Sequence, residues 1–402
     1  MHVAGIIIEY DPLHTGHVYL MEEVRRRLGE DTAIVGVMSG NFVQRGEFAV
    51  VQKYPRAKAA VESGMDLVLE LPIPWATASA ERFADGGVQA LEATGIVTHL
   101  AFGSECGDAA ALQRLAAVLC SDKLEEQLRG ELSAGDNFAA ARQRAVEVLA
   151  GREDAVLLSR PNNILGVEYC KALVRQKSQI EPMTVQRKGA EHNGELLEGT
   201  HPSASAIRQL LQEGQREQAL ERMAPAMKNA YLAEEAAGRA PVFGETCERA
   251  ILARLRSMTP EDFAKLDTGR EGVSNRLYEA SRTATSVREI LETAKTKRYA
   301  YARLRRMVLW AYLGLYPQEQ PERIPYLRPL AANETGRMLL GQMRKAATLP
   351  VVMKTKQIRA LDETAQKLFE LEIRGGDLYA LAYPELSAAA GGSVWREEPV
   401  LI

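Results

Sequence analysis

The chain begins with a β-rich apolar run, Val3–Ile8, which leads through Asp11-Pro12 into the tight turn His14-Thr15-Gly16-His17 and directly into an amphipathic helical pattern. A strand that leads through a glycine turn into a helix is a phosphate-binding arrangement. Unpaired N–H groups and the positive end of the helix dipole converge at the helix N-terminus. Two histidines at this point add donors for charge that develops on a reacting phosphate. The first twenty residues therefore predict nucleotide chemistry.

The same alternation continues through the first half of the chain and predicts an α/β fold, a doubly wound parallel sheet with helices on both faces. In such sheets, ligands bind beyond the carboxyl ends of the strands. Apolar runs predict strands at Val3–Ile8, Ala33–Met38, Asp66–Leu71, Val97–Gly103 and Pro182–Arg187. Amphipathic patterns predict helices at His17–Leu28, Lys53–Ser63, Ala78–Ala93, Asp108–Leu119, Ile164–Gln176 and Ser203–Gln212.

The second half of the chain has a different pattern. Residues 121–158 are polar, rich in alanine and helical in pattern, so they predict a helical insertion. Beyond Gly214 the strand signals stop, and the remainder is mostly helical with arginine-rich faces. We therefore predict a nucleotide-binding domain over residues 1–215, with its insertion at about 121–158, followed by a mainly α-helical region over 216–402. The run Ala388–Gly392 predicts a loose tail.

Composition limits the classes of protein. The 402 residues carry a formal net charge of −3, which excludes a globally basic nucleic-acid-binding protein, so any nucleic acid must dock on a local patch. The four cysteines show neither a CxxC pair nor metal-ligand spacing, which is typical of a reduced, intracellular protein. The opening apolar run is short and soon reaches Glu9, so it is neither a signal peptide nor a membrane span. We expect a cytoplasmic location and no membrane partner.

His14 and His17 are the first candidate catalytic pair. In the catalytic interpretation both imidazoles line one side of the nucleotide phosphates, and Gly16 lets the backbone approach closely. One alternative is a zinc pair, since the spacing also suits a metal, but no further Cys/His cluster supports it and we expect no protein-bound metal. The other is two incidental helix-cap histidines. The preceding strand favours the phosphate site.

A second candidate phosphate site is His201-Pro-Ser203-Ala-Ser205-Ala-Ile-Arg208, again at a helix start. Serine hydroxyls and free amides of a first turn suit phosphate oxygens, and Arg208 can reach back one turn to the same anion. The alternative is an ordinary serine N-cap followed by a solvated arginine. Because the amino-terminal turn offers a partner site, we predict that Ser203 and Arg208 act in catalysis from the opposite side of one triphosphate.

Two further segments are candidates for substrate contacts. The glycine-bearing loop Ser39–Glu47 is a candidate to hold a second substrate or the triphosphate; the alternative is a hairpin-like connection with exposed charges. The segment Lys295–Arg306 interleaves cations with Tyr299 and Tyr301, a pattern typical of RNA binding. Its alternative is a solvated helix face with the tyrosines packed inward.

The histidine turn and the later Ser-x-Ser-x-Ile-Arg segment together resemble the nucleotidyltransferase superfamily, whose members let a nucleophile attack the α-phosphate of a nucleoside triphosphate and expel pyrophosphate. Longer segments are similar to the bacterial tRNA(Met) cytidine acetate ligase family, and the resemblance extends from Val3 to about Lys356. These segments are Glu9–His17, Met38–Glu47, Pro161–Gly166 and Lys297–Arg306.

The resemblance implies a nucleotidyltransferase-like Rossmannoid domain and a tRNA-binding helical region. It implies an enzyme that activates acetate with ATP as acetyl-adenylate and acetylates the wobble cytidine of elongator tRNA(Met) to N4-acetylcytidine. Mg²⁺ is expected to bridge the phosphates. The histidine turn and serine–arginine segment alone would equally fit a small-molecule adenylyl- or cytidylyltransferase. By similarity, the ATP site comprises Ile7, Ile8, Glu9, Tyr10, Asp11, Pro12, Leu13, His14, Thr15, Gly16, His17, Val18, Tyr19, Leu20, Gly103, one of Asn162 and Asn163, and Arg187.

Overall fold

The computed structural model describes residues 2–133, 138–187, 203–267, 272–296 and 299–402. Within these ranges, seven strands form the main sheet and two form a short hairpin. No described helix is both long enough and apolar enough to cross a bilayer. The strands are β1 Val3–Ile8, β2 Ala33–Ser39, β3 Phe42–Val43, β4 Glu47–Phe48, β5 Leu67–Leu71, β6 His99–Ser104, β7 Glu181–Gln186, β8 Pro329–Ala332 and β9 Val400–Leu401.

Helices surround the sheet and make up most of the second half. Short 3₁₀ helices lie at Leu157–Ser159, Gly244–Cys247, Pro317–Glu319, Thr355–Ala360 and Leu386–Ala388. The α-helices are α1 Thr15–Leu28, α2 Lys53–Glu62, α3 Ile73–Ala76, α4 Ala80–Ala93, α5 Ala109–Leu119, α6 Asp122–Ser133, α7 Phe138–Ala150, α8 Arg152–Val156, α9 Pro161–Gln176, α10 Ala204–Gln212, α11 Arg216–Arg222, α12 Pro225–Ala236, α13 Glu248–Ser257, α14 Pro260–Leu266, α15 Val273–Thr283, α16 Val287–Ala294, α17 Tyr301–Leu313, α18 Glu334–Ala346, α19 Glu363–Ala380 and α20 Ser393–Arg396.

The main sheet has the strand order β7-β6-β1-β2-β5-β8-β9. The five strands from β7 to β5 are parallel, as the alternation of strands and helices predicts. The expected positions agree with the observed strands to within two residues. β8 runs antiparallel to β5, so the predicted α/β class is confirmed and the sheet is mixed at one side.

The central strand shows why this sequence forms a sheet that is covered on both faces. In β1, Val3 and Ile7 belong to one hydrophobic core, whereas Ala4, Ile6 and Ile8 belong to the other. Successive side chains of a strand point to opposite faces, so a continuous apolar run requires helices on both sides. Helices α1 and α2 contribute to the second core, and α4 and α9 contribute to the first.

The expectation that no strand follows Gly214 is wrong. β8 pairs with β5, and β9 pairs with β8, so the carboxyl-terminal half of the chain extends the sheet. β8 begins with a proline and has four residues, and β9 has two, so neither carries a periodicity that sequence patterns can reveal. The boundary at residue 215 stays a prediction, and the sheet itself continues across it.

The expected loose tail is also wrong. A 3₁₀ helix at Leu386–Ala388 and α20 follow each other there, and the Gly392 N–H donates to Asp377 Oδ1 at 2.6 Å. Val394 is buried, and the edge of the Trp395 ring contacts Phe369 with 5.5 Å between ring centroids. The segment is thereby fixed on α19 and leads into β9.

Gly336 and Gly341 lie on the same helix, α18, and provide a matched test of how closely the second half packs on the sheet. A Cβ at position 336 would lie 2.0 Å from the Asp66 carbonyl oxygen, whereas one at position 341 meets nothing within 4 Å. We expect Gly336→Ala to lower the free energy of unfolding by about 1–3 kcal/mol, because backbone must move aside. Gly341→Ala should raise it by up to about 1 kcal/mol through helix propensity.

Urea unfolding of both variants measures the difference. Equal effects of the two substitutions would show that α18 does not approach the sheet this closely.

Candidate active site

A cavity of about 240 Å³ opens at the carboxyl ends of β1 and β6. Along the chain, β2 and β5 are added on one side of β1, whereas β6 and β7 are added on its other side. The connections that follow β1 and β6 therefore run in opposite directions, away from the space between these two strands. Such a divergence leaves a crevice in which α/β proteins bind ligands. The predicted site residues that line this cavity are Ile7, Ile8, Glu9, Tyr10, Asp11, His17, Leu20, Gly103, Asn162, Arg187 and Arg208.

A smaller adjoining cavity of about 60 Å³ contains three more of the residues predicted around the histidine turn. His14, Gly16 and Tyr19 line it, and it shares His17 and Arg187, among others, with the larger cavity. The two candidate histidines therefore lie at one connected opening. The predicted site residues outside both linings are Pro12, Leu13, Thr15, Val18, Asn163 and Ser203.

The two histidines cap α1 through a reciprocal pair of hydrogen bonds. The Gly16 N–H donates to His14 Nδ1 at 3.1 Å, and the His14 N–H donates to His17 Nδ1 at 3.3 Å. Both rings thus accept through Nδ1, which assigns the proton of each neutral ring to Nε2. The rings stack with their centroids 3.8 Å apart. The two histidines therefore do cap the helix, as the alternative interpretation proposes. The same hydrogen bonds also orient the Nε2–H group of each ring.

The surroundings keep His17 uncharged. Burial lowers the pKa of His17 well below its usual value, and the neighbouring His14 and Arg187 lower it further. The Tyr10 ring lies 4.6 Å from the His17 ring, and Tyr10 itself is buried with a backbone φ of 48°. A non-glycine residue in this region of φ is uncommon and occurs often at functional sites. His17 is therefore a neutral hydrogen-bond donor at the mouth of the turn.

Asp11 and Arg208 link the two candidate phosphate segments. Asp11 accepts the Val50 N–H at 2.7 Å and forms an ion pair with Arg208 at 2.5 Å. Arg208 also lies 3.4 Å from Glu47, and only 12% of its side chain is exposed. The solvated arginine of the alternative interpretation is thus not what the structure shows. Arg208 lines the cavity, but protein carboxylates already neutralise it.

The start of α10 is close to the histidine turn, although Ser203 itself does not face the cavity. The Ser203 hydroxyl accepts the Ala206 N–H at 3.1 Å, which is an ordinary N-cap. Ala204 and Ser205, in the first turn after it, line the cavity. The structure therefore brings the two segments together at one opening. His201 and Lys188 lie outside the described residues.

The structure distinguishes Asn162 from Asn163, which the sequence leaves equivalent. Asn163 is 1% exposed, and its Oδ1 accepts the N–H groups of Glu105 and Cys106 at 3.0 and 3.1 Å. Asn162 lines the cavity and donates to Glu105 Oε1 at 2.8 Å. Asn163 therefore holds the loop after β6, and Asn162 is the asparagine that a ligand can reach.

The loop after β2 is the β3–β4 hairpin, and it forms one wall of the cavity. Its lining residues are Val43, Gln44, Arg45 and Glu47. Sequence reasoning singled out this loop for a substrate role, and its hairpin alternative is correct as structure. It missed Phe83, Leu165 and Tyr169, which also line the cavity. On α4 and α9 these apolar residues follow the same pattern as core residues, so no sequence signal separates them.

The basic segment of α17 packs against this hairpin. Arg305 forms an ion pair with Glu47, and Arg306 donates to the Gln44 carbonyl at 3.3 Å. A Cβ at Gly46, whose φ is +77°, would lie 2.6 Å from the Arg306 nitrogen. Arg303 pairs with Asp267 at 2.9 Å. The described arginines of this segment are therefore not simply a solvated face, and Lys297 and Arg298 lie outside the described residues.

The described residues contain no group of three or more His, Cys, Asp or Glu side chains that could hold a metal ion. The zinc alternative for the histidine turn therefore gains no third ligand from the described parts of the chain.

Comparison with known proteins identifies the family. Residues 1–392 match the family model described as HIGH Nucleotidyl Transferase. The chain is 36% identical to the tRNA(Met) cytidine acetate ligase of Acetivibrio thermocellus over 416 aligned residues, with all of both chains covered. It belongs to the tRNA(Met) cytidine acetate ligase family. The family member of Fervidobacterium nodosum is 35% identical, over 96% of this chain and 95% of its own.

Solved structures of this family share the fold over the whole chain. Crystal structures of Thermotoga maritima TmcAL superpose with TM-scores of 0.91 for the form bound with alpha-thio ATP and 0.92 for the apo form. Their sequence identities to this chain are 32% and 33%, and all of each chain is covered. The resemblance found in the sequence motifs is thus confirmed, from the amino-terminal turn through the helical half.

The hydrogen bonds around the asparagine pair predict different costs of substitution. Asn163→Ala should lower the free energy of unfolding by about 1–3 kcal/mol, because the N–H groups of Glu105 and Cys106 lose their buried acceptor. Asn162→Ala should cost less, because this side chain is partly exposed. Denaturant unfolding compares the two variants, and a larger loss for Asn162→Ala would contradict the assignment.

The capping geometry predicts the protonation state of the histidine turn. In ¹⁵N-resolved NMR spectra, His14 and His17 should show the Nε2–H tautomer. His17 should stay neutral at pH 6.5, where an unperturbed histidine is half protonated, because its pKa is lowered. His99, at the amino end of β6 and outside both cavity linings, is the comparison in the same spectrum, although burial lowers its pKa as well. An Nδ1–H pattern for His17, or titration near pH 6.5, would contradict the geometry.

Proposed function

We propose that this chain activates acetate with ATP as acetyl-adenylate and transfers the acetyl group to the wobble cytidine of elongator tRNA(Met), giving N4-acetylcytidine. The observation that carries the proposal is the oriented pair of imidazoles at the start of α1, beside a cavity at the divergence of the strands. Membership of the tRNA(Met) cytidine acetate ligase family over the full chain supports the choice of substrates.

In the proposed first step, an acetate oxygen attacks the α-phosphorus of ATP while the bond to pyrophosphate breaks. Negative charge on the non-bridging oxygens meets the Nε2–H groups of His14 and His17 and the N-terminus of α1. These donors are held by backbone hydrogen bonds before the substrate arrives, so little reorganisation is needed. A neutral His17 serves this role as a donor without losing a proton.

We place the remaining phosphates between Arg187 and the start of α10. Ala204 and Ser205 line the cavity within the first turn of that helix, where backbone N–H groups have no intrahelical acceptor. Arg208 is already paired with Asp11, so its part is to fix the position of α10 against the turn as well as to face the ligand. Gly103 and Asn162 are the proposed contacts to the nucleoside.

Mg²⁺ fits this site as an ion bound to ATP. The Asp11 carboxylate, which is closest in sequence to the histidine turn, is occupied by the Val50 N–H and by Arg208. Phosphate oxygens and water are the ligands that Mg²⁺ commonly keeps in ATP-dependent enzymes. Bound in this way, the ion neutralises phosphate charge.

The proposed tRNA surface lies on the α17 side of the cavity. The Arg305 guanidinium lies over the Tyr301 ring at 4.8 Å, and both residues lie beside the hairpin that walls the cavity. A cation stacked on an aromatic ring at such a place suits an unpaired nucleotide of an anticodon loop. Because the same hairpin lines the cavity and contacts α17, we propose that a base enters the cavity while its phosphates remain on α17.

The test is incubation of the protein with ATP, Mg²⁺, labelled acetate and elongator tRNA(Met), followed by nucleoside analysis. We expect labelled N4-acetylcytidine, with AMP and pyrophosphate as the other products. A tRNA whose wobble cytidine is replaced by uridine is the matched substrate control. Transfer of the nucleotide itself to a phosphorylated metabolite, without acetylated tRNA, would favour the small-molecule transferase instead.

His17→Ala should reduce acetate-dependent ATP–pyrophosphate exchange by roughly a hundred- to a thousand-fold, the usual loss for one oriented donor to a transition-state oxyanion. His99→Gln is the matched control, since His99 lies at the amino end of β6 and lines neither cavity. Thermal melting is the measurement that checks whether both variants are folded. Exchange near the wild-type rate in His17→Ala would remove His17 from the mechanism.

A further inference from the structure

Glu9 follows the last residue of β1 and lines the cavity. Its Oε1 accepts the Gln44 N–H of the hairpin at 2.6 Å. No hydrogen bond to its Oε2 is found among the described residues. Glu9 thus lines the cavity with a carboxylate whose Oε1 is fixed by the hairpin and whose Oε2 is left to accept a hydrogen bond.

The other candidate proton acceptors in this cavity are occupied. Asp11 accepts from Val50 and pairs with Arg208. Glu47 pairs with both Arg208 and Arg305. The Nδ1 atom of His17 accepts the His14 N–H, so the acceptor position of that ring is used. Within the described parts of the chain, Glu9 is the cavity carboxylate with an oxygen left to accept.

The groups that face Glu9 come from several elements. Asp11 lies on the same segment, Arg45 on the hairpin, Arg56 on α2 and Tyr169 on α9. Burial raises the pKa of Glu9 to about 7; Asp11 also raises it, whereas the Gln44 N–H and the two arginines lower it. A group with this pKa is well matched to accept a proton at neutral pH.

The second step of the proposed reaction requires such an acceptor. The cytidine N4 nitrogen forms a bond to the acetyl carbon, the bond from that carbon to the AMP oxygen breaks, and AMP leaves as the phosphate anion. The nitrogen must lose one proton for the amide to form. A carboxylate is also the side chain that accepts a hydrogen bond from the exocyclic amine of cytosine.

We propose that Glu9 accepts a hydrogen bond from the exocyclic amine of the wobble cytidine and takes its proton as the acetyl group is transferred. This inference rests on the proposed function and names the residue that receives the second substrate. The largely buried rings of Phe83 and Tyr169 line the same cavity. Gln44 sets the direction of the Glu9 carboxylate.

Glu9→Gln tests the role, because an amide oxygen still accepts the Gln44 N–H but the side chain cannot take a proton. The two half-reactions are measured separately: acetate-dependent ATP–pyrophosphate exchange, and single-turnover transfer to elongator tRNA(Met) from supplied acetyl-AMP. We expect transfer to fall roughly a hundred-fold or more. Adenylate formation should fall by less than about tenfold, because the contacts proposed above for the ATP phosphates come from the histidine turn, Arg187 and the start of α10 and not from Glu9.

The pH profile provides a readout that a structural role would not change. In the wild type, the rate of transfer should rise with pH to a plateau above about pH 7, since only the carboxylate form accepts the proton. Glu9→Gln should lose this rise. Glu47→Gln is the matched control: it removes another cavity carboxylate, which is already ion-paired, and should retain the rise whatever its rate.

Other outcomes overturn the assignment in distinguishable ways. Equal loss of both half-reactions, with a raised KM for ATP, would make Glu9 a nucleotide contact. A raised KM for acetate with normal transfer from acetyl-AMP would make it part of the acetate site. Wild-type transfer in Glu9→Gln would dismiss the role while leaving the proposed function intact. A wild-type protein that acetylates no tRNA from acetyl-AMP would overturn both.

Discussion

A buried guanidinium holds together the strand ends on which the cavity is built. Arg56 has no exposed surface and donates hydrogen bonds to the carbonyl oxygens of Glu9, Ser39, Gly40 and Val51. These carbonyls lie where β1 and β2 end and on the approach to α2. Buried backbone acceptors require partners, and a buried charge requires several hydrogen bonds. One side chain meets both requirements, so the geometry of the carboxyl edge depends on it.

The backbone between the end of β1 and the start of α1 is also held in place by hydrogen bonds and an ion pair. Tyr10 turns the backbone away from β1 with a positive φ, and Asp11 is held by Val50 and Arg208. The Ala224 N–H then donates to the Leu13 carbonyl at 3.1 Å. His14 therefore enters its cap with little freedom. The Nε2–H donors of the histidine turn are well positioned because the segment before them is held both at Asp11 and at Leu13.

Sequence patterns predicted the parts of the fold that local chemistry determines. The continuous apolar run of β1 and the cap-forming histidines each carry their signal within a few residues, so both were identified. β8 and β9 were missed because their pairing partners, not their own residues, make them strands. Domain boundaries are likewise non-local, since they depend on which segments pack together.

The candidate site likewise combines residues that the sequence indicates with residues that only the fold brings together. Glu9 and Gly103 are expected from the resemblance to the family, whereas Phe83 and Tyr169 line the cavity from helices whose pattern is that of ordinary core positions. The pairing of Arg208 with Asp11 joins residues that are 197 positions apart, so no spacing rule could give it. Asn162 and Asn163 are neighbours of the same type, and only their burial in the fold distinguishes them.

The hairpin Phe42–Phe48 contacts both halves of the molecule, and this has an evolutionary consequence. Glu47 is bonded to Arg208 on one side and to Arg305 on the other, and Gly46 fits against the backbone of α17. A recombination event that exchanged the helical half for that of an unrelated protein would remove Arg305 and the α17 backbone, on which this loop packs. The two halves are therefore constrained to diverge together, as one inherited unit.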